Sequence, residues 1–92
     1  MFPRLGAGSP QVIGHSVQGR PIYLCQLTQG IRSLLLIGGV HGDEVEGYAL
    51  IERYVASGNW RSLEGKAALW AIPCLNPDGC ALGQRLNANG VD

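Results

Sequence analysis

The sequence predicts an α/β fold with three layers built around a mixed β-sheet. An apolar run at residues 33–40, a segment with helical periodicity at residues 43–57 and a second apolar run at residues 67–72 follow one another. A strand, a helix and a strand in this order form a right-handed βαβ unit, whose two strands are parallel. Two earlier strand-like runs, at residues 11–17 and 21–28, predict an antiparallel hairpin, and the sheet is therefore mixed.

The first elements are predicted from turn residues and from continuous apolar sequence. Residues 1–10 are rich in glycine, proline and serine, and we interpret them as an irregular lead-in. Gly19 lies between the two hairpin strands, where a glycine permits a tight turn. Residues 33–40 form a continuous apolar run bounded by glycine, which is typical of a strand that is buried on both faces.

The segment at residues 43–57 changes to the period of an α-helix. One face of this helix collects five residues, namely Gly47, Leu50, Ile51, Tyr54 and Val55. Asp43 is placed to cap the helix, and Glu46 stands three residues later, as in a capping box. Gly58 is predicted to end the helix, because glycine readily adopts the left-handed conformation found there.

The rest of the chain completes the sheet and then loses regular periodicity. Residues 59–66 are expected to form a polar connection, and residues 67–72 a second buried strand that Pro73 ends. Residues 75–92 contain several turn signals and are interpreted as loop. Because a single helix covers one face of the sheet, the other face would be left bare, and an exposed apolar face favours self-association.

Composition limits the class of protein and its partners. A chain of 92 residues suits one domain, and seven basic residues balance seven acidic ones. A net charge of zero argues against nucleic acid or an anionic membrane as the main partner. The longest apolar run is too short to span a bilayer, and the N-terminus lacks the apolar core of a signal peptide. Three cysteines without CxxC spacing are interpreted as reduced thiols, so a cytoplasmic location is predicted.

The strongest local signal is the segment GGVHGDE at residues 38–44, where the first buried strand ends and the helix begins. Ligands in open α/β sheets bind beyond the carboxyl ends of strands. His41 and Glu44 offer an imidazole nitrogen and a carboxylate, both of which are good ligands for zinc, and Asp43 could orient the imidazole. The alternative is that His41 is an ordinary turn residue and Glu44 only favours the N-terminus of the helix.

Two further segments add to this signal. The sequence runs from NPDGC to NANGVD over residues 76–92, and GHSVQGRPI precedes it at residues 14–22. Together with GGVHGDE, these segments resemble the zinc carboxypeptidase superfamily, and within it the murein peptide amidases. The resemblance implies a zinc-carboxypeptidase-like (phosphorylase/hydrolase-like) α/β fold, of which residues 1–92 would form the N-terminal part of a single catalytic domain.

The resemblance also implies roles for individual residues. His41 and Glu44 would be two of three protein ligands to a catalytic Zn²⁺, and Arg85 would reach the scissile carbonyl of a small peptide substrate and stabilise the oxyanion. The third protein ligand, the general base and the Asn-Arg pair that binds the substrate carboxylate are expected beyond this chain. The chain alone is therefore expected to bind zinc weakly and to be inactive.

Three functions remain open. The first is a zinc amidase that cuts the γ-D-glutamyl–diaminopimelate bond of murein peptides, a substrate that rests on the resemblance. The second is a zinc acylase of the succinylglutamate desuccinylase or aspartoacylase type, which also begins with an HGxE motif. The third is a non-catalytic module whose zinc-site residues are vestigial.

Overall fold

The computed structural model describes residues 10–92, which form a mixed four-stranded sheet with helices. The predicted lead-in at residues 1–10 lies outside the described part except for its last residue. The elements are β1 (Gln11–His15), β2 (Pro21–Gln26), β3 (Arg32–Ile37), α1 (Val45–Ser57), a 3-10 helix (Asn59–Leu63), β4 (Ala67–Ile72) and α2 (Pro77–Leu82). The α/β class is therefore confirmed.

The sheet has the strand order β1-β2-β4-β3. β1 pairs with β2 in an antiparallel hairpin, and Gly19 at its turn has a φ of 82°, in the left-handed region that favours glycine. β2 pairs with β4 in antiparallel orientation, whereas β3 and β4 are parallel. The predicted hairpin, the parallel pair of the βαβ unit and the mixed sheet are all confirmed.

The prediction that β3 is buried on both faces is wrong. Within residues 10–92, β3 is an edge strand whose one neighbour is β4, and Leu34, Leu35 and Ile37 are each about half exposed, at 49%, 52% and 46%. β4 is instead the enclosed strand, with a partner on each side. An apolar run shows only that a strand is suited to burial, and its position in the sheet decides how much it buries.

One face of the sheet packs against α1 and the 3-10 helix. The core on this face contains Ile51 and Val55 of α1, together with Leu69 and Ala71 of β4. Trp60 joins them from the 3-10 helix, and its indole N–H donates a hydrogen bond of 2.9 Å to the carbonyl of Val55. The predicted polar connection at residues 59–66 thus also supplies a core residue.

The helix α1 begins at Val45, two residues later than predicted. Its N-cap is Glu44, whose side chain makes no capping hydrogen bond, so the capping box predicted for Asp43 and Glu46 is wrong. The predicted C-cap is correct, because Gly58 adopts the left-handed conformation with a φ of 72°. Leu50 is 63% exposed instead of buried, and Tyr48 packs against the core in its place.

The segment after β4 is more regular than predicted, since it contains the short helix α2. The side chain of Asn76 accepts a hydrogen bond of 3.0 Å from the backbone N–H of Gly79, which caps the helix. Pro77 follows as the first helical residue, where a missing N–H costs nothing. Asn76-Pro77, one of the turn signals at residues 75–92, therefore starts a helix.

The face of the sheet opposite α1 is apolar. Leu24, Leu35 and Trp70 line a shallow groove there, with a volume of about 340 Å³. Side chains alternate between the two faces of a strand, and Cys25 and Leu69 next to these residues lie in the core on the helical side. Within residues 10–92, α1 and the 3-10 helix therefore cover one face of the sheet, and the groove lies on the opposite face. None of the helices in this range is long and apolar enough to span a membrane.

A buried carboxylate joins the β1–β2 hairpin to α2. Asp78 is 1% exposed and accepts hydrogen bonds from the hydroxyl of Ser16 (2.6 Å), the backbone N–H of Gln18 (3.0 Å) and the guanidinium of Arg20 (2.9 Å). Desolvation alone would raise the pKa of Asp78, but these hydrogen bonds and the charge of Arg20 outweigh it and hold the pKa below its usual value.

We expect Asp78→Asn to lower the melting temperature at pH 7 by roughly 10 °C, because an amide cannot accept all three hydrogen bonds. A carboxyl whose pKa is lower in the folded state stabilises the fold above its unfolded pKa of about 3.9, and this contribution is lost as the pH falls toward the folded pKa. The difference between wild type and variant should therefore be full at pH 7 and smaller at pH 3.

Thermal unfolding at the two pH values measures this difference, and Asp43→Asn is the matched control because Asp43 is exposed. A gap of equal size at both pH values would contradict a role for the charged carboxylate.

Candidate metal centre

The loop at residues 38–44 is held firmly against the end of β4. The backbone N–H of Gly38 donates to the carbonyl of Ile72 (2.9 Å). In return, the carbonyls of Gly38 and Gly39 accept from the N–H groups of Leu75 (2.9 Å) and Asn76 (2.8 Å). These bonds extend the parallel pairing of β3 and β4 beyond both strands, so the loop leaves the sheet at a defined angle.

Two glycines allow this close contact. Gly39 has a φ of 64°, and a Cβ atom there would lie 2.8 Å from Sγ of Cys74. A Cβ atom on Gly42 would lie 2.0 Å from the carbonyl carbon of Gly79 in α2. Any larger residue at either position would push the loop away from the rest of the molecule.

The tight turn between these contacts brings His41 and Glu44 together. The backbone N–H of Glu44 donates to the carbonyl of His41 (3.0 Å), and Nδ1 of His41 contacts Oε1 of Glu44. Both side chains reach solvent, with exposed fractions of 26% for His41 and 60% for Glu44. The two predicted metal-binding residues therefore direct one nitrogen and one oxygen donor to the same point.

Asp92 lies on the other side of the imidazole ring. Its Oδ1 is 2.8 Å from Nε2 of His41, while its Oδ2 is 3.2 Å from Nη2 and 3.3 Å from Nε of Arg85. Asp92 thus connects Arg85 to His41, and the structure brings all three predicted site residues into one cluster. Asp43 was predicted to orient the imidazole, but the carboxylate in contact with Nε2 is that of Asp92.

The environment of Asp92 favours its charged form. Partial desolvation alone would raise the pKa of Asp92, but hydrogen bonds from Arg85 and His41, together with their charges, outweigh it and hold the pKa below its usual value. The contact with Asp92 fixes the orientation of the ring, and a neutral ring that donates Nε2–H to Asp92 would present the lone pair of Nδ1 to a metal bound beside Glu44.

Three amide side chains hold the segment that carries Arg85 and Asp92. Nδ2 of Asn76 donates to the carbonyl of Leu86 (3.2 Å), and Nε2 of Gln84 donates to the carbonyl of Asn87 (3.1 Å). Oδ1 of Asn87 accepts from the backbone N–H groups of Asn89 and Val91, each at 2.9 Å. The asparagines of the NANGVD segment therefore shape a turn that ends on Asp92.

Sequence reasoning missed Asp92, Asn76 and Asn87 as parts of this site. Asp92 closes a segment with asparagines at positions 87 and 89, and this density of amides beside a carboxylate is the signal that could have pointed to it.

The donor set of His41 and Glu44 fits zinc, which accepts imidazole nitrogen and carboxylate oxygen. A histidine whose second ring nitrogen contacts a carboxylate is the arrangement usual for a zinc ligand. Within residues 10–92, no group of three or more His, Cys, Asp and Glu side chains is placed to hold a metal ion. The described residues therefore provide two donors, and a catalytic zinc site normally has three.

A comparison with protein families decides which kind of protein has this site. A family model described as zinc carboxypeptidase matches residues 8–92. The chain belongs to the zinc carboxypeptidase family. Its relatives in this family are zinc carboxypeptidases and amidases, which are hydrolytic enzymes.

Three zinc carboxypeptidase relatives illustrate the similarity. The chain is 37% identical over 81 residues to murein peptide amidase A of Escherichia coli, covering 86% of this chain and 31% of the amidase. It is 32% identical over 97 residues to carboxypeptidase SOL1 of Arabidopsis thaliana, covering 87% of this chain and 19% of that protein. The crystal structure of murein-tripeptide amidase MpaA from Escherichia coli superposes with a TM-score of 0.76 and 33% identity, covering 95% of this chain and 35% of the other.

The resemblance predicted from the motifs is thus confirmed, as is the zinc-carboxypeptidase-like fold. The chain spans less than a third of the length of the curated relatives above. The roles of His41, Glu44 and Arg85 remain predictions, and the structure adds that these residues lie together.

Proposed function

We propose that this chain is the N-terminal part of the catalytic domain of a zinc-dependent metallopeptidase or amidase that hydrolyses a peptide amide bond. His41 and Glu44 would be two protein ligands of the zinc, and the third would come from the remainder of the domain. The convergence of Nδ1 of His41 and Oε1 of Glu44 carries this proposal. The 92-residue chain alone would bind zinc weakly and be inactive.

The residues of the chain would act by holding donors in place. Bound zinc would polarise the scissile carbonyl and lower the pKa of a water molecule. Asp92 would keep the His41 ring in the orientation that exposes Nδ1 to the metal. Asp92 also accepts a hydrogen bond from Nε of Arg85 and forms an ion pair with its Nη2, and the guanidinium has further N–H donors for the carbonyl oxygen of the substrate. Such donors help most when negative charge develops on that oxygen.

The proposed substrate is a small murein peptide, and the proposed bond is the one between γ-D-glutamate and diaminopimelate. The similarity to murein peptide amidase A and to murein-tripeptide amidase MpaA supports this choice. We further propose that the enzyme acts in the cytoplasm on a free peptide, with neither nucleic acid nor membrane as a partner. The net charge of zero supports the absence of a polyanionic partner.

The test uses the complete catalytic domain and two substrates. The γ-D-glutamyl–diaminopimelate tripeptide should be hydrolysed, whereas N-succinylglutamate, a substrate for the acylase alternative, should not. Removal of zinc by a chelator should abolish hydrolysis, and addition of Zn²⁺ should restore it. Cleavage of N-succinylglutamate alone would favour the acylase, and no cleavage by the zinc-loaded domain would favour a non-catalytic module.

A further inference from the structure

Two of the three cysteines lie in contact next to the loop that carries His41. The Sγ atoms of Cys74 and Cys80 are 2.9 Å apart, and the two residues are six positions apart in the chain. Cys74 follows the end of β4, and Cys80 lies in α2. We propose that Cys74 and Cys80 form a reversible intramolecular disulfide on exposure to a hydroperoxide, and that this pair is a redox modification site.

Cys80 is accessible to a small oxidant, and Cys74 is buried next to it. Cys74 and Cys80 both line a cleft of about 340 Å³, together with Arg20, Tyr23 and Tyr48. Cys80 is half-buried, whereas Cys74 is 6% exposed. The more accessible Cys80 therefore meets the oxidant first, and Cys74 stands directly behind it.

The environment of Cys74 suits the thiol that reacts second, by attacking the oxidised Cys80. Burial is the main reason that its pKa is raised to about 12, and the hydrogen bond and charge of Cys80 act in the same direction. A thiol with such a pKa stays protonated near neutral pH and does not compete with Cys80 for the peroxide. Cys25 lies on β2 and is 1% exposed, so it serves as the cysteine that should not be oxidised in the test below.

The reaction proceeds in two balanced steps. The sulfur of Cys80, having lost its proton, attacks one oxygen of hydrogen peroxide; the O–O bond breaks, and the departing hydroxide takes that proton and leaves as water. The sulfur of Cys74 then attacks the sulfenic acid on Cys80; the S–S bond forms, the S–O bond breaks, and a second water leaves with the proton of Cys74. The two thiols lose two electrons, peroxide gains them, and a dithiol reductant reverses the change.

The new bond would link the chain that follows β4 to α2 at the point where both contact the metal-site loop. Sγ of Cys74 lies 2.8 Å from the position of a Cβ on Gly39, and Gly42 packs directly on Gly79 of α2. The proposal itself needs no metal and does not depend on the function proposed above.

Peptide mapping of the purified protein tests the proposal. Trypsin releases residues 67–85 as one peptide that contains both cysteines. After hydrogen peroxide treatment, this peptide should be lighter by two hydrogen atoms, and free thiols should fall from three per chain to one. Cleavage before Asp78, between the two cysteines, should leave the halves joined until dithiothreitol separates them.

Cys80→Ser is the informative variant, because Cys80 is only half-buried and a serine fits there. In this variant, the peptide of residues 67–85 should not lose two hydrogen atoms after peroxide treatment. In the wild type, Cys25 should remain a free thiol after the same treatment, so its peptide should still react with an alkylating reagent. The proposal is overturned if wild-type residues 67–85 gain oxygen atoms or remain unchanged, if the disulfide joins two chains, or if Cys80→Ser loses two hydrogens equally well.

Discussion

His41→Ala should reduce zinc affinity and amide hydrolysis of the complete domain by well over 100-fold. The substitution removes one of the two donors that converge in the loop after β3, and a zinc site with a missing protein ligand holds its metal poorly. Outer carboxylates that orient a zinc ligand contribute less, about 10–100-fold in affinity or activity. Asp92→Asn should therefore fall within that smaller range, since the amide can still accept from Nε2–H.

Zinc titration by calorimetry and bound-metal analysis measure these effects independently of turnover. His15→Ala is the matched control, because His15 is an exposed histidine on β1 and should leave both quantities unchanged. Circular dichroism confirms that each variant is folded. Wild-type zinc affinity in folded His41→Ala would refute the assignment of His41 as a ligand. A larger loss of zinc affinity in Asp92→Asn than in His41→Ala would contradict the proposal that His41 binds the metal and Asp92 only orients it.

Arg85→Ala should lower kcat by about 10²–10³-fold, with a smaller change in KM, because the interaction is made mainly with the developing oxyanion. Zinc content should remain unchanged, since Arg85 forms its ion pair within residues 10–92 with Asp92 and not with His41 or Glu44. Arg85→Lys should restore part of the rate, because a lysine supplies positive charge but not the planar fork of donors.

Steady-state kinetics on the zinc-loaded domain separates these effects. Arg53→Ala is the control, because Arg53 is an exposed arginine on α1. If Arg85→Ala raises KM and leaves kcat at the wild-type value, the residue only binds substrate and does not stabilise the oxyanion. If zinc is lost together with activity, Arg85 acts by positioning Asp92 instead.

Contacts between residues close together in this chain could be predicted from the sequence, whereas contacts between distant residues could not. His41 and Glu44 are three residues apart, and a single backbone hydrogen bond brings them together. The contact between His41 and Asp92 joins residues 51 positions apart and depends on the packing of α2 and the turn after it. No periodicity or spacing reports such a contact.

The same distinction explains the errors in the fold. Both apolar runs predict buried parallel strands, and both are parallel strands in the structure. Strand order is a tertiary property that the runs do not show, so within residues 10–92 β4 is enclosed as predicted whereas β3 is an edge strand. Asn76 and Pro77 suit both a turn and a helix start, and the hydrogen bond from the N–H of Gly79 to Asn76 favours the helix. Asp43 and Glu46 predict a capping box, but the N-cap is Glu44, whose carboxylate contacts His41 and makes no capping hydrogen bond.

The position of β4 has a consequence for synthesis on the ribosome. β4 is the last of the four strands to be made, and within residues 10–92 it is the one strand that pairs with β3, whereas β2 already has β1 as a partner. At roughly 5–20 residues per second, the apolar strand β3 waits a few seconds for its partner to be translated. During that interval the nascent chain displays residues 32–37 without a neighbouring strand, which makes this segment the expected first contact for a ribosome-associated chaperone.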